Sequence, residues 1–225
     1  MATGAQNAVT QGGFYLAYGK RSFDIALSTM GLILFGFPMA GVSLLIWLVD
    51  GSPVLFRQER VGRHGKLFTI CKFRTMANRR VAGTSITIAG DMRVTAIGKW
   101  LRRFKLDELP QLWNVLKGDM SFVGPRPDVP GYLDRLQGEE ARLRELRPGI
   151  TGPASLAFRN EEDLLAQAAD PVAFNDGVLF PAKVRLNLEY MKRISFSSDV
   201  GCILKTMLPG RAEPAPRLVR GTHRP

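Results

Sequence analysis

The amino-acid sequence predicts an α/β protein that is mostly helical, with an N-terminal membrane segment ahead of a small globular domain with short strands. Three observations lead to this prediction. A run without charged residues, Ile25–Val49, lies near the N-terminus. Two short apolar runs of β-type residues follow it, and most of the remaining chain has helical patterns. The net charge of +11 indicates a polyanionic partner, such as a phosphorylated substrate, an anionic lipid or a nucleic acid.

The uncharged run Ile25–Val49 is long enough to enter a membrane as a helix. It would extend about 37 Å at roughly 1.5 Å per residue, which exceeds a hydrocarbon core of about 30 Å. Pro38, near its middle, lacks a backbone N–H and kinks a helix. Positive charge favours the cytoplasmic side. Here both ends carry cations, namely Lys20, Arg21, Arg57, Arg60, Arg63 and Lys66. From the residues alone, a re-entrant hairpin broken at Pro38 and a membrane-spanning helix are equally open.

The first part of the globular domain contains two predicted strands, 53–56 and 67–70. If the second strand continues, the spacing of Lys72 and Arg74 places both cations on one face. That face is either a binding surface or a solvated edge. The next element, 92–104, is predicted to be a basic amphipathic helix, which suits a membrane interface or an ordinary protein surface.

The second half of the chain is predicted to be mainly helical. The expected elements are a polar helix at 132–147, a loop or short strand at 150–158, and helices at 181–194 and 198–208. The chain is thereby divided into a flexible N-terminus at 1–17, the membrane segment at 18–50, the globular domain at 51–208 and a disordered basic tail at 209–225.

The cysteine and histidine content limits the possible chemistry. The chain has two Cys, Cys71 and Cys202, and two His, His64 and His223. Two cysteines without CxxC spacing provide neither a disulfide framework nor a zinc site. Two histidines give poor support to a Ser-His or Cys-His triad. Catalysis is therefore expected to rest on carboxylates, Lys and Arg.

The stretch LDELP contains two adjacent acids, Asp107 and Glu108. One interpretation is a helix start, because acids favour the first turn and proline is tolerated there. The other interpretation uses the neighbours: Lys105 precedes the pair, and Arg126, between two prolines, can grip a phosphate with its guanidinium. A carboxylate among such cations can hold Mg²⁺ or attack phosphorus, and both lead to phosphoryl transfer. A structural ion pair of Arg126 with Glu108 or Asp119 is the alternative.

Several longer stretches point to one protein family. They are PVLFRQERVGRHGKLFTICKFRTM, DMRVTAIGKWLRRFKLDELPQLWNVLKGDMSFVGPRP, RPGITG and PAKVRLNLEYMKRISFSSD. The preceding KRSFDIALSTMGLILFGFP fits the membrane segment of the same family. On these motifs the chain resembles the bacterial monotopic phosphoglycosyl transferases, also called bacterial sugar transferases, from about Tyr18 to Leu208.

The resemblance implies transfer of a sugar-1-phosphate from a UDP-sugar to a polyprenyl phosphate such as undecaprenyl phosphate. It also implies release of UMP, Mg²⁺ as cofactor, and a role in starting polysaccharide or glycoconjugate synthesis. By position, Asp107 is the implied nucleophile of a covalent phosphosugar intermediate, with Glu108 as its partner and both acids as Mg²⁺ ligands. The cations expected to bind phosphate or nucleotide are Lys72, Arg74, Arg103, Lys105 and Arg126. Lys105 stands where the family usually has Ser or Thr, a natural N-cap.

The resemblance also implies a location. It predicts a re-entrant helix hairpin broken at Pro38, amphipathic interfacial helices and a cytoplasmic catalytic domain, on the cytoplasmic face of the bacterial inner membrane. Anionic phospholipids are expected partners, and a homodimer is left open. Nucleic acid is not expected, because a nucleic-acid-binding protein has no use for Ile25–Val49. The competing hypothesis is a membrane-surface scaffold without chemistry, in which Asp107 and Glu108 are dispensable.

Overall fold

A computed structural model describes residues 15–77 and 90–208 of the chain. These residues are mostly helical and include short strands, as the sequence predicts. The predicted disordered tail, 209–225, and residues 1–14 of the predicted flexible N-terminus lie outside the described residues.

Helix α1, Lys20–Asp50, begins directly after a π-helical turn, Tyr15–Gly19. Residues 15–17 of the predicted flexible N-terminus lie in this turn. Tyr15 is buried, and its hydroxyl donates to the Asp199 carboxylate at 2.8 Å. This contact with a distant part of the chain fixes the turn.

A buried polar cluster fastens the start of α1 to the C-terminal part of the chain. Lys20 Nζ donates to the Asp199 carboxylate at 2.5 Å, and the Tyr190 hydroxyl donates to it at 2.6 Å. Lys20 is 9% exposed, and Asp199 is fully buried. Burying these charges is tolerated because each one is paired and hydrogen-bonded.

Helix α1 runs without interruption through Pro38, so the predicted break there is not confirmed. The proline ring holds φ near a helical value, and the loss of one N–H group need not end the helix. Among the described residues, the stretch Tyr15–Asp50 is the one that is long and apolar enough to cross a membrane. Its middle is uncovered, with Phe37 90% exposed and Ile33 79% exposed. The apolar helix agrees with the predicted membrane segment, whereas its re-entrant path stays a prediction.

Both ends of α1 pack against the globular domain. Near the N-terminal end, the Asp24 carboxylate accepts from Ser121 Oγ at 3.1 Å and from the Phe122 N–H at 3.0 Å. Near the C-terminal end, Ile46 is fully buried in an apolar cluster with Phe73. The uncovered apolar residues therefore lie between two anchored ends.

The strands form two small sheets in the described part of the chain. Strand β1, Leu55–Val61, pairs antiparallel with β2, Leu67–Phe73, and β3, Ser121–Val123, pairs parallel with β4, Gly149–Thr151. Both β1 and β2 continue further than predicted, because backbone pairing extends through charged residues that a small exposed sheet tolerates.

Helix α2, Ala96–Arg103, begins later than the predicted 92–104 because Thr95 Oγ1 accepts from the Gly98 N–H at 3.0 Å and caps it. A 3₁₀ turn, Leu106–Glu108, follows. The remaining helices are α3 Gln111–Lys117, α4 Pro153–Ala157, α5 Glu161–Gln167, α6 Pro171–Phe174, α7 Phe180–Lys192 and α8 Phe196–Met207. Helices α7 and α8 confirm the two predicted C-terminal helices.

The predicted polar helix at 132–147 is wrong. Two 3₁₀ segments, Leu133–Arg135 and Glu140–Glu145, occupy this region. Gly138, between them, has a φ of +58°, which a right-handed helix does not admit. The region at 150–158, predicted as a loop or short strand, contains β4 and then α4, which starts at a proline.

Candidate active site

The acid pair lies in the 3₁₀ turn between α2 and α3. Lys105, just before the turn, has left-handed backbone angles, φ 57° and ψ 21°, that redirect the chain after α2. Both Asp107 and Glu108 are buried, with 8% and 9% exposure. Within the described chain, no side chain caps the start of this turn or of α3. The helix-cap interpretation of the pair is therefore not supported.

Glu108 is held by two cations from separate parts of the chain, Lys72 of β2 and Arg126 of the loop that follows β3. Its Oε1 accepts from Lys72 Nζ at 3.2 Å and from Arg126 Nη2 at 2.9 Å. Burial alone would raise the pKa of Glu108, but Arg126, Lys72 and Lys105 outweigh it and hold the pKa well below its usual range. Glu108 therefore stays a carboxylate at any physiological pH.

Asp107 has the opposite surroundings. Its Oδ1 is buried and has no hydrogen-bond partner among the described residues. Burial and then the negative charge of Glu108 raise the pKa of Asp107, and Lys72 and Lys105 oppose this only in part. Such an oxygen is poorly stabilised as it stands, so it is available to bind or attack an electrophilic group.

Asn114 of α3 fixes the distance between the acid pair and β2. Its Oδ1 accepts from the Cys71 N–H at 3.0 Å, and its Nδ2 donates to the Thr69 carbonyl at 2.8 Å. These bonds dock the helix that follows Glu108 onto the strand that carries Lys72. The sequence analysis missed this residue, and the signal was an amide within the otherwise apolar stretch LWNVL.

Arg74 is not brought to the acid pair, which corrects its predicted grouping with Lys72. Its Nη2 donates to the carbonyls of Asp50 and Gly51, each at 2.7 Å, and so satisfies the C-terminal end of α1. The reason is that β2 ends at Phe73, so the alternation of faces along a strand does not reach Arg74. Its predicted role in substrate binding is unsupported by these contacts.

Two further predicted cations are exposed. Arg103 lies with its guanidinium carbon 5.8 Å from the centre of the Phe104 ring. Lys105 lowers the pKa values of Asp107 and Glu108 through its charge. Direct contact of either side chain with a phosphate stays a prediction.

The arrangement can be compared with known proteins. The model of the family described as bacterial sugar transferase matches residues 15–210. This chain belongs to the bacterial sugar transferase family. As a member of that family it is a transferase, and the family's range includes α1 as well as the acid pair.

Several relatives of this transferase have named activities. A UDP-N-acetylgalactosamine-undecaprenyl-phosphate N-acetylgalactosaminephosphotransferase of Aeromonas hydrophila is 36% identical over 195 residues, which cover 85% of this chain and 43% of the relative. The UDP-glucose:undecaprenyl-phosphate glucose-1-phosphate transferase of Escherichia coli K12 is 37% identical over 199 residues, covering 85% of this chain and 40% of the relative. The chain therefore spans about two fifths of the length of both enzymes.

A shorter relative is closer in size. The sugar transferase EpsL of Bacillus subtilis is 44% identical over 145 residues, which cover 63% of this chain and 69% of the relative. The alignments to the longer enzymes extend over most of this transferase, so the similarity is not confined to one motif.

The two carboxylates of the acid pair are of the ligand type that Mg²⁺ prefers. Asp107 Oδ1 is unpartnered, and Glu108 is ionised beside it. Over the described residues, the site of the acid pair included, no group of three or more His, Cys, Asp or Glu side chains is arranged to hold a metal ion. Mg²⁺ commonly takes one or two carboxylates and fills its remaining positions with water and phosphate oxygens. Two carboxylates are therefore a sufficient protein contribution.

Proposed function

We propose that this transferase moves a sugar-1-phosphate from a UDP-sugar to a polyprenyl phosphate, with a covalent intermediate on Asp107. The observation that carries the proposal is the unequal treatment of the two acids. Glu108 is fixed by Lys72 and Arg126, whereas Asp107 keeps a buried carboxylate oxygen without a partner. The names of the relatives support the classes of donor and acceptor.

The reaction consists of two displacements at one phosphorus. An Asp107 oxygen attacks the phosphorus that bears the sugar, and the bond from that phosphorus to the bridging oxygen of UMP breaks, so UMP leaves with the electron pair. An oxygen of the polyprenyl phosphate then attacks the same phosphorus, and the bond to Asp107 breaks. The products are a sugar diphosphate lipid and a regenerated carboxylate.

The cations offset the repulsion between Asp107 and the anionic donor. Arg126 and Lys72 form ion pairs with Glu108, the residue next to Asp107. Both cations are therefore in place near Asp107 before the donor binds. Fixed charges of this kind stabilise a transition state without reorganising during the reaction. Lys105, at the turn, adds a third positive charge.

Asp107 and Glu108 are the residues that would hold Mg²⁺, together with phosphate oxygens of the donor. The ion supplies charge neutralisation on the transferring phosphate when it is bound. The role of the chain is then to keep Glu108 ionised, which its two cationic partners achieve.

The membrane part of the proposal is a re-entrant path for α1 on the cytoplasmic face of the bacterial inner membrane. It is supported by the packing of both ends of α1 on one globular domain and by the exposed apolar residues near Pro38. Helix α2 would lie at the interface, because Trp100 and Phe104 are about half exposed beside basic residues. A polyprenyl phosphate carries its phosphate at the same depth.

The test is a reaction without lipid acceptor. The detergent-solubilised protein is incubated with UDP-glucose, UDP-galactose or UDP-N-acetylgalactosamine. The mass of the intact protein and the released UMP are then measured, and peptide mapping locates any modification. With the correct donor we expect about one UMP per protein and a sugar phosphate on Asp107. Asp107→Asn should abolish both, while Asp119→Asn, an acid paired with Lys117 just after α3, should retain them. Near-normal turnover of Asp107→Asn would exclude the covalent route and favour the scaffold without chemistry.

A further inference from the structure

A second concave site adjoins the acid pair through Arg126. We define it as the polar cleft, because polar side chains from three parts of the chain border it: Arg126, Asp128, Ser155, Glu161, Lys183 and Asn187. Apolar side chains, among them Phe180, complete its wall. Lys183 and Asn187 lie in the stretch PAKVRLNLEYMKRISFSSD, but the resemblance gave them no role. The two displacements at Asp107 use none of the polar residues of the cleft other than Arg126.

Two polar atoms of the cleft lack partners. Ser155 Oγ and Asn187 Oδ1 are buried and make no hydrogen bond within the described part of the chain. Asn187 lies on α7 and is 7% exposed. Val184, one turn earlier on the same helix, is also buried. Buried polar groups in proteins are nearly always hydrogen-bonded, so these two atoms have hydrogen-bonding capacity left for a polar group that enters the cleft.

The charges of the cleft indicate which ligand chemistry it accepts. Lys183 Nζ donates to Glu161 Oε1 at 2.5 Å, and Asp128 adds a second carboxyl, whose pKa burial raises to about 6. Two acidic groups repel a phosphate. They accept hydrogen bonds from hydroxyl groups, while Lys183 and Ser155 can donate, and the Phe180 ring offers an apolar face. Mixed donors and acceptors beside an apolar wall match a sugar ring.

Arg126 connects the cleft to the reaction. Its guanidinium binds Glu108 at 2.9 Å and also borders the cleft. In a UDP-sugar, one oxygen atom joins the sugar to the phosphorus that Asp107 attacks. A donor in position to react must therefore hold its sugar close to Arg126.

We propose that the polar cleft binds the sugar of the donor, with Ser155 and Asn187 as hydrogen-bonding residues that determine which sugar is accepted. This inference rests on the proposed function. It assigns to α4 and α7 a role in specificity that is separate from binding the nucleotide.

The experiment compares Ser155→Ala and Asn187→Ala with the wild type on UDP-glucose, UDP-galactose, UDP-N-acetylglucosamine and UDP-N-acetylgalactosamine. Undecaprenyl phosphate is the acceptor, and the released UMP is measured. The inhibition constant of UDP, which has no sugar, is measured in parallel. We expect KM for the preferred donor to rise about three- to tenfold, as for the loss of one hydrogen bond, and the ratio between sugars to change. The UDP constant should stay within about twofold.

Asn160→Ala is the matched control, because Asn160 Oδ1 is also buried and unpartnered but does not border the polar cleft. It should leave both constants unchanged. Equal increases in KM and in the UDP constant would overturn the proposal and make the cleft a nucleotide or structural site. Unchanged KM in Ser155→Ala, which removes one oxygen and adds no bulk, would also overturn it. A wild-type protein that releases no UMP from any donor would instead contradict the proposed function.

Discussion

Asp107 and Glu108 are adjacent in the chain, yet their surroundings change their pKa values in opposite directions. Glu108 is fixed by Arg126 and Lys72, and its pKa is lowered; the pKa of Asp107 is raised by burial and by Glu108. Pairs of acids with divergent pKa values commonly divide their roles at a reaction centre. Here the division assigns charge management to Glu108 and attack on phosphorus to Asp107.

Arg126 is expected to depend on its guanidinium and not only on its charge. Arg126→Lys keeps the positive charge but removes the planar guanidinium. The lysine ammonium cannot bind Glu108 and a phosphate through several fixed N–H groups at once. We expect kcat/KM for UMP release to fall at least about tenfold, as for the loss of a charged hydrogen bond, with the thermal midpoint little changed. The matched substitution Arg142→Lys, in an exposed pair with Glu145, should have no effect. If Arg126→Lys reacts at the wild-type rate, the contact between Arg126 and Glu108 is only a structural ion pair.

Asp128 is expected to make stability depend on pH. Its folded pKa of about 6 lies above the ordinary value of 3.8 because the side chain is buried. The folded state therefore holds its proton more tightly than the unfolded state, and the free energy of unfolding falls as pH rises from about 4 through 6, by roughly 1–3 kcal/mol. Thermal midpoints at pH 4.5 and 7.5 should show a smaller decrease for Asp128→Asn than for the wild type. Parallel decreases would mean that Asp128 titrates normally.

At the scale of elements, α1 supports the active site through its own side chains. Arg21 Nη1 and Nη2 donate to the carbonyls of Val115 and Leu116 at 2.6 and 2.7 Å. These are among the last carbonyls of α3, where a helix runs out of intrahelical donors, and the Val115 carbonyl also accepts from the Gly118 N–H at 3.0 Å. The membrane helix thus closes the C-terminal end of the helix that follows the acid pair, and the two elements are expected to move together.

Arg21→Leu tests this support. The loss of two charge-assisted hydrogen bonds should cost about 2–3 kcal/mol and lower the thermal midpoint by roughly 4–10 °C, with a reduced kcat because α3 is loosened. Arg144→Leu serves for comparison, since Arg144 also donates to a backbone carbonyl, that of Asp134, but at an exposed site. A similar, small effect of both substitutions would show that α3 does not depend on α1.

The sequence predicted elements well where local signals agree with packing. Helices α7 and α8 were found because their apolar spacing and their start signals coincide. The prediction of one helix at 132–147 was wrong, although the composition of this stretch favours a helix. Gly138 has a positive φ, and a glycine in a sequence allows such an angle without requiring it.

The candidate site was predictable only in part. Asp107, Glu108 and Arg126 lie in one motif, and the structure brings them together with Lys72. Arg74 was grouped with Lys72, but its guanidinium contacts the carbonyls at the end of α1, which are brought there by a chain reversal that no local pattern encodes. The polar cleft joins the loop after β3 with residues of α4, α5 and α7, so spacing along the chain gave no signal for it.

At the scale of the whole molecule, the path of α1 in the membrane decides where its ends lie. The test uses single cysteines at Ala17 and Lys66, both exposed, in a background with Cys71→Ser and Cys202→Ser. We expect a membrane-impermeant maleimide to label both only from the cytoplasmic side, because the flanking cations favour that side. A cysteine introduced by Phe37→Cys, in the exposed middle of α1, should be shielded by lipid from the maleimide, whichever side of the membrane the reagent is added to.

Labelling of the two cysteines from opposite sides would establish a spanning helix and contradict the re-entrant path. Pro38→Leu restores the missing backbone N–H, so it should straighten α1 and move the two reporters toward opposite sides. Unchanged labelling in Pro38→Leu would mean that packing of the two ends on the globular domain, and not the proline, determines the path.

The buried pair of Lys20 and Asp199 also sets an order of events during synthesis. The partners are 179 residues apart, and ribosomes add about 5–20 residues per second, so the carboxylate is made roughly 10–35 s after the amine. During that interval α1 lacks the group that neutralises its lysine, and the ammonium stays hydrated because burying an unpaired charge is costly. Final seating of α1 on the globular domain therefore waits for the synthesis of α8, which carries Asp199.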